Sequence, residues 1–183
     1  MYSVDYKRKT INWDTDVSSS FLQSIKEVVP YCWIGINTCH IPSNKIKPLT
    51  KQDMSNYENV LKLAECISKQ ILYMEKRSIT FIGFELNDIL SIDDGRAFIV
   101  ANYERVMSYS FMSIRLFVPF HKPFFSSLPG NHLPMNVSYL TARVSLGLLL
   151  VHLVGNLTNI KSTKLYWFIQ RCLKTPETGF TIV

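Results

Sequence analysis

With 183 residues, 47% of them hydrophobic and 13% aromatic, the chain carries enough apolar mass to bury a core as one domain. A charged fraction of only 19% excludes a disordered polyelectrolyte. The formal charge of +6 comes from scattered Lys and Arg with one tight cluster, Lys7-Arg8-Lys9, so it reads as a solvated surface and no nucleic-acid partner is expected.

Residues 1–17 read as irregular and polar. Ser20 opens a short predicted helix, SFLQSIKEVV, with Gln23 at the capping-box spacing and Pro30 as its stop. Gly35, Pro42 and Pro48 make 31–49 a loop with short strand pieces at most. Thr50 opens the clearest helix. Asp53 favours its first turn, and Leu49 and Met54 stand at staple positions. Behind them Tyr57, Val60, Leu61, Ala64, Ile67, Ile71 and Met74 form one apolar stripe, closed by Lys76 and Arg77.

Ile89–Ile92 and Ala97–Val100 are β-rich and flank Asp93-Asp94-Gly95, a hairpin signal in which Gly95 supplies positive φ. In 103–135, Pro119, Pro123, Pro129 and Pro134 stand among Phe117, Phe120, Phe124 and Phe125, which predicts a long, aromatic-pinned loop. Val137–Val154 is apolar nearly all round and predicts a buried axial helix. Its run VSLGLLLVHLV is too short to span a bilayer, so no transmembrane segment is expected. Ser162 or Thr163 starts a last helix, KLYWFIQRCL, which Pro176 follows.

The four cysteines, Cys32, Cys39, Cys66 and Cys172, include no CxxC pair, and Cys32, Cys39 and His40 fit no standard zinc spacing. They read as buried free thiols of a reducing compartment. The opening MYSVDYKRKTINWD lacks the apolar run of a signal peptide, so the expected location is intracellular, in cytoplasm or nucleus. Asn136-Val-Ser138 and Asn156-Leu-Thr158 then read as chance glycosylation matches. His121 and His132 lie near Ser126 and Ser127, but no Gly-x-Ser-x-Gly or Cys-His signature accompanies them, and they read as loop histidines. Tyr166, Trp167 and Phe168 are consecutive, which splays them around a helix with at least two in the core, rather than lining a base-stacking platform.

The order of helix, hairpin, Pro/Phe-rich loop, apolar helix and aromatic helix resembles the large lobe of the eukaryotic protein kinases over roughly residues 50–180. IKPLTKQDMSNYENVLKLAECISKQILYMEKRSI resembles the helix leading into the catalytic loop. FFSSLPG is similar to the loop ending in Ala-Pro-Glu, and ARVSLGLLLVHLVGN to the central helix. Small kinase-like proteins of large DNA viruses look similar, which makes a virus particle a possible location by resemblance.

The resemblance implies where phosphoryl-transfer residues should stand, and they are missing. In FIGFELND, Phe81 and Ile82 take the places of the His and Arg, Gly83 that of the base, Glu85 that of the Lys and Asp88 that of the metal-binding Asn. Asn102 takes the place of the second metal-binding Asp. A glycine cannot accept a proton, and an anion at 85 would repel a phosphate. By the same resemblance Ala142 takes the place of the central-helix Asp that supports the catalytic loop, and Gly130 and a position near Gly179 replace both members of a Glu–Arg ion pair, so no charge is stranded. Rescue by Glu85, Asp88, Asp93, Asp94 or Glu104 would require base, metal and phosphate contacts all to move.

Gly35 is the only glycine before Gly83, so no glycine-rich nucleotide loop precedes Thr50. The resulting expectation is an α+β, mostly helical, protein kinase large-lobe-like fold with the small lobe missing or reduced. Residues 1–49 would be a small-lobe remnant or partner-binding arm, and 50–183 the large-lobe-like domain. Its function would be that of a catalytically inactive pseudokinase scaffold without cofactor or metal; the alternative is a nucleotide-binding sensor without phosphotransfer. The surface left bare by a missing lobe would meet a protein partner through Trp13, Trp33, Ile82, Phe84, Phe98 and Phe117, with Ile89 beside them.

Overall fold

The computed structural model describes residues 1–116, 125 and 134–174. The amino-terminal region forms β1 (Tyr2–Asp5), β2 (Thr10–Trp13), α1 (Ser19–Val28), β3 (Trp33–Gly35), β4 (Thr38–His40) and β5 (Ile46–Pro48). Next come α2 (Tyr57–Glu75), β6 (Ile79–Phe81), β7 (Ile89–Ile92) and β8 (Ala97–Val100). Then follow β9 (Val106–Ser108), β10 (Ser113–Leu116), β11 (Met135–Ser138), α3 (Thr141–Val154) and α4 (Lys164–Leu173). Two compact units result, one of Met1–Arg77 with Leu86–Glu104, the other of Ser78–Glu85 with Arg105 onward.

This architecture corrects the expectation of a mostly helical, kinase-lobe fold. Of the described residues 45% are helical and 26% lie in strands, in four helices and four small antiparallel sheets. The error began at the amino terminus, where an irregular stretch was expected and β1 and β2 pair instead. Their signal is faint because the strands are four residues long and a charged turn separates them. The Asp5 carboxylate builds that turn, accepting the N–H groups of Lys7 and Arg8, both at 3.0 Å. In β2 the alternation is physical: Ile11 and Trp13 are buried, Thr10 and Asn12 half-buried.

In the first unit, β1, β2, β4 and β3 form one sheet in that order, and β5, β7 and β8 another. The predicted hairpin is present, with Ile89 opposite Val100 and Ile92 opposite Ala97. Its turn uses positive φ at Asp93, Asp94 and Gly95, at 49°, 52° and 102°. The Asp93 carboxylate fastens the turn by accepting from the Asn44 and Lys45 backbone, at 2.7 and 3.2 Å.

Helix α1 begins at Ser18, whose hydroxyl accepts from the Phe21 N–H; the Ser20–Gln23 capping box is not used. Thr50 starts only a 3-10 turn, Lys51–Met54, and α2 is capped by the Asn56 side chain. Both helices pack on β8. There Gln70 is the key residue. Its side-chain carbonyl accepts from Val100 N–H at 2.9 Å, and its amide donates to Val100 C=O at 3.0 Å and to Ser24 Oγ at 3.3 Å. A helix side chain thus takes the place of a neighbouring strand along the edge of β8.

The second unit pairs β6 with β9 and β10 with β11. Ile82, Ile114, Leu116 and Val137 make a small core there. Val137 lies in β11, so the expected axial helix starts later, at Thr141. Residues 106–116, expected as loop, supply β9 and β10. Helix α3 packs against α4 with Gly147 at the contact, where a Cβ would stand 2.8 Å from that of Cys172. In α4, capped by Thr163 as expected, Phe168 is buried, Tyr166 half-buried and Trp167 exposed, so one of the three aromatics is core where two were expected.

Two stability predictions follow from the first unit. Gln70→Leu leaves both backbone groups of Val100 buried without a partner, and urea denaturation should show a loss of roughly 2–5 kcal/mol. Asp53 pairs with Lys47 and accepts from Thr50 N–H and Oγ at 2.9 and 2.7 Å. Burial by itself would raise its pKa, but the bonds from Lys47 and Thr50 outweigh it and hold the carboxyl below its ordinary value. A depressed carboxyl stabilises at neutral pH and loses that contribution as pH falls through its folded pKa. Asp53→Asn should therefore lower the melting temperature at pH 7, and the gap to wild type should close under acidic conditions.

Candidate functional site

The hairpin register decides what surrounds the residues that the kinase resemblance singled out. Beyond the Ile89–Val100 pair the ladder continues by one bond, Ala101 N–H to Asp88 C=O at 2.8 Å. This draws the chain leaving β8 against the chain entering β7. Asn102 Nδ2 then donates to Asp88 Oδ1 at 2.6 Å, and Asn102 Oδ1 accepts from Glu104 N–H at 3.1 Å. Asp88 is buried, only 4% exposed. Its carboxylate is also felt by Tyr2, whose phenol is pushed up to about 12, first by burial and then by the Asp88 charge. The Tyr2 hydroxyl donates to Asn87 C=O at 2.7 Å, which ties β1 to this end of the hairpin.

Glu85 belongs to the second unit and is not free in solvent either. Arg105 Nη2 lies 3.2 Å from Glu85 Oε1, and Arg105 is itself buried. Arg105 C=O accepts from Ile82 N–H at 2.9 Å. Gly83 has φ of 149°, a conformation that L side chains rarely adopt, so the backbone itself explains glycine there. Phe81 is a buried β6 residue that meets Phe84 edge-on, ring centroids 5.4 Å apart. Ala142 is buried in α3, while Gly130, Gly179, His121 and His132 lie outside the described residues. Among the described residues, no group of three or more His, Cys, Asp or Glu could hold a metal ion.

The proposed partner-contact residues separate sharply. Trp13, Ile82, Phe84, Phe98 and Ile89 are buried, so they present no side chain to a partner in this structure. Trp13 stacks edge-on against Phe21 at 5.8 Å and its indole N–H donates to Ala101 C=O at 2.8 Å. Trp13, Ile89 and Phe98 are buried within the first unit and Ile82 and Phe84 within the second, so there is no bare apolar surface at those positions to explain. Phe117 lies outside the described residues. Only Trp33 is exposed, at 71%, on β3, the edge strand of its sheet.

Two exposed apolar tips emerge instead. Ile36, 91% exposed, sits with Asn37 in the two-residue turn between β3 and β4, where Asn37 takes φ of 50°. In the second unit, Phe111 and Met112 form the turn between β9 and β10, fully and 71% exposed. Both have positive φ, 49° and 63°, which for bulky L residues stores strain of order 1–3 kcal/mol each. Sequence reasoning missed these residues because 103–135 read as one loop. The serines bracketing Phe111-Met112 in YSFMS were the available turn signal.

No protein-family model and no curated protein matches the chain. No helix among the described residues is long and apolar enough to cross a membrane.

Asn102→Asp tests how Asp88 is used. It sets a second carboxylate where an amide donates, so the melting temperature should fall at pH 7 and recover under acid as one carboxyl takes a proton. Recovery with millimolar magnesium at pH 7 would instead reveal a cation site.

Proposed function

We propose that the chain is a protein-interaction module of the cell interior that carries out no phosphoryl transfer. The observation that carries this reading is the Phe111-Met112 turn: two large apolar side chains held in solvent on strained backbone. Soluble proteins have no folding reason to maintain that arrangement, whereas a partner that buries both side chains offsets its cost. Trp33 and Ile36 add a second apolar tip on a short edge strand, the kind of feature that protein partners cover.

The remaining carboxylates support the same reading. Asp88 is engaged by Asn102 and Glu85 by Arg105, so each has a structural duty. Gly83 offers no group to accept a proton.

Two measurements test the proposal. A photo-crosslinking residue at position 111, in the full chain expressed in its own cells, should capture a discrete protein. Phe111→Ser with Met112→Ser should abolish that capture while leaving the melting temperature within a few degrees. Magnesium-ATP at millimolar levels should leave thermal unfolding unchanged. A magnesium-dependent rise, about 2.7 kcal/mol if ligand exceeds its dissociation constant a hundredfold, would overturn the reading in favour of a nucleotide sensor.

A further inference from the structure

The cations of this chain are scattered, but its acids are not. The first unit holds twelve Lys and Arg against twelve Asp and Glu, and the second holds eight against two. The whole net charge of +6 therefore belongs to the second unit. From Arg105 to Pro176 the sequence contains no Asp or Glu at all. Of the unit's two acids, Glu85 is already paired with Arg105, and Glu177 lies outside the described residues. Segregation of this kind points to an anionic partner.

Helix α4 carries an outer face suited to one. Its buried stripe is Leu165, Phe168, Ile169 and Cys172. Lys164, Trp167, Arg171 and the C-cap Lys174 follow one another at steps of three, four and three residues, so they make a second stripe along one outer face. Lys164, Trp167 and Lys174 are exposed and Arg171 is half-buried. Lys161, just before the helix, is exposed as well. Among the described residues the ammonium groups of Lys161, Lys164 and Lys174 have no ion-pair partner.

We propose that the Lys164-Trp167-Arg171-Lys174 stripe of α4 is a docking surface for the anionic headgroups of a phospholipid bilayer, with the helix lying along the membrane surface.

The residue types favour lipid over other polyanions. An indole is amphipathic and settles at headgroup level, where Lys and Arg beside it reach lipid phosphates and carboxylates. Lysines on long flexible stems, set in an open row, suit mobile headgroups that can arrange themselves around separate charges. A single-stranded nucleic acid calls for aromatic rings presented in series. Here Trp167 is the one ring on the stripe, and Tyr166 already meets it edge-on, ring centroids 5.2 Å apart. With ten residues α4 is too short to span a bilayer, so the contact stays at the surface. Lipid docking does not depend on the Phe111-Met112 turn. A vesicle assay contains no protein partner, so each reading can fail without the other.

The test is co-sedimentation of the full chain with vesicles of phosphatidylcholine alone and of phosphatidylcholine with about a third phosphatidylserine, at roughly 0.15 M salt. Binding to the anionic vesicles only, weakening as salt rises, is the expected result. Each cation at such a surface strengthens binding about fivefold, so Lys164→Gln with Lys174→Gln should weaken it roughly thirtyfold while the melting temperature holds. Absence of binding to the anionic vesicles, equal binding to both kinds, or undiminished binding by the lysine variant would overturn the proposal. So would tighter binding, per negative charge, to a single-stranded oligonucleotide or to polyglutamate, which would assign the stripe to nucleic acid or to an acidic protein. The wild-type comparison of the two vesicles decides the matter even where a variant fails to fold.

Discussion

The first unit depends on one buried amide. Gln70, buried on the fourth turn of α2, satisfies both backbone groups of Val100 and reaches Ser24 on α1. A central helix therefore meets a sheet edge with the directionality of a strand, and apolar packing alone would not fix that register. Once Val100 is fixed, Ile89 is fixed opposite it, and the ladder brings Asp88 against Ala101 and Asn102. Trp13 closes the same region by donating to Ala101 C=O. The polar cluster at the open end of the hairpin is thus a consequence of where a helix glutamine points.

That origin bears on function. In the first unit Asp88 has an amide neighbour inside a hydrogen-bonded frame, and within the second unit Glu85 has the guanidinium of Arg105 as its neighbour. Both carboxylates take part in holding backbone segments in place, which is a sufficient reason for their presence. Large apolar side chains stand exposed at two turns: Trp33, whose ring lies 5.6 Å from that of His40, with Ile36, and Phe111 with Met112. An interaction module distributes its residues this way, with polar groups used for internal order and apolar groups offered outward.

The sequence made some features legible and hid others for physical reasons. The β7–β8 hairpin was readable because two β-rich runs flank a turn whose aspartates and glycine tolerate positive φ. Helix α2 was readable from its apolar stripe, although Asn56 and not Thr50 caps it, and α4 from its Thr163 start. The amino-terminal sheet was not, because strands of three or four half-buried residues carry almost no periodic signal. Val137 was misread for a related reason: a short apolar strand running into an apolar helix leaves no change of composition at the boundary. The resemblance to a kinase lobe followed from the order of those legible elements, and the strands between and before them overturn the mostly helical fold it implied. Among the partner candidates, large aromatics were chosen for size. Size favours burial as readily as binding, and Trp13, Phe84 and Phe98 went to the core.

The most direct test of a structural, noncatalytic role for Asp88 is the Asn102 side-chain amide signal in a nitrogen-15 NMR spectrum, followed as magnesium and ATP are added to millimolar levels. The account predicts that both amide protons keep their shifts, because the Asp88 carboxylate stays with Asn102. Displacement of those signals together with the Ala101 amide would mean that the carboxylate leaves Asn102 for a metal ion, and the noncatalytic reading of this chain would fall.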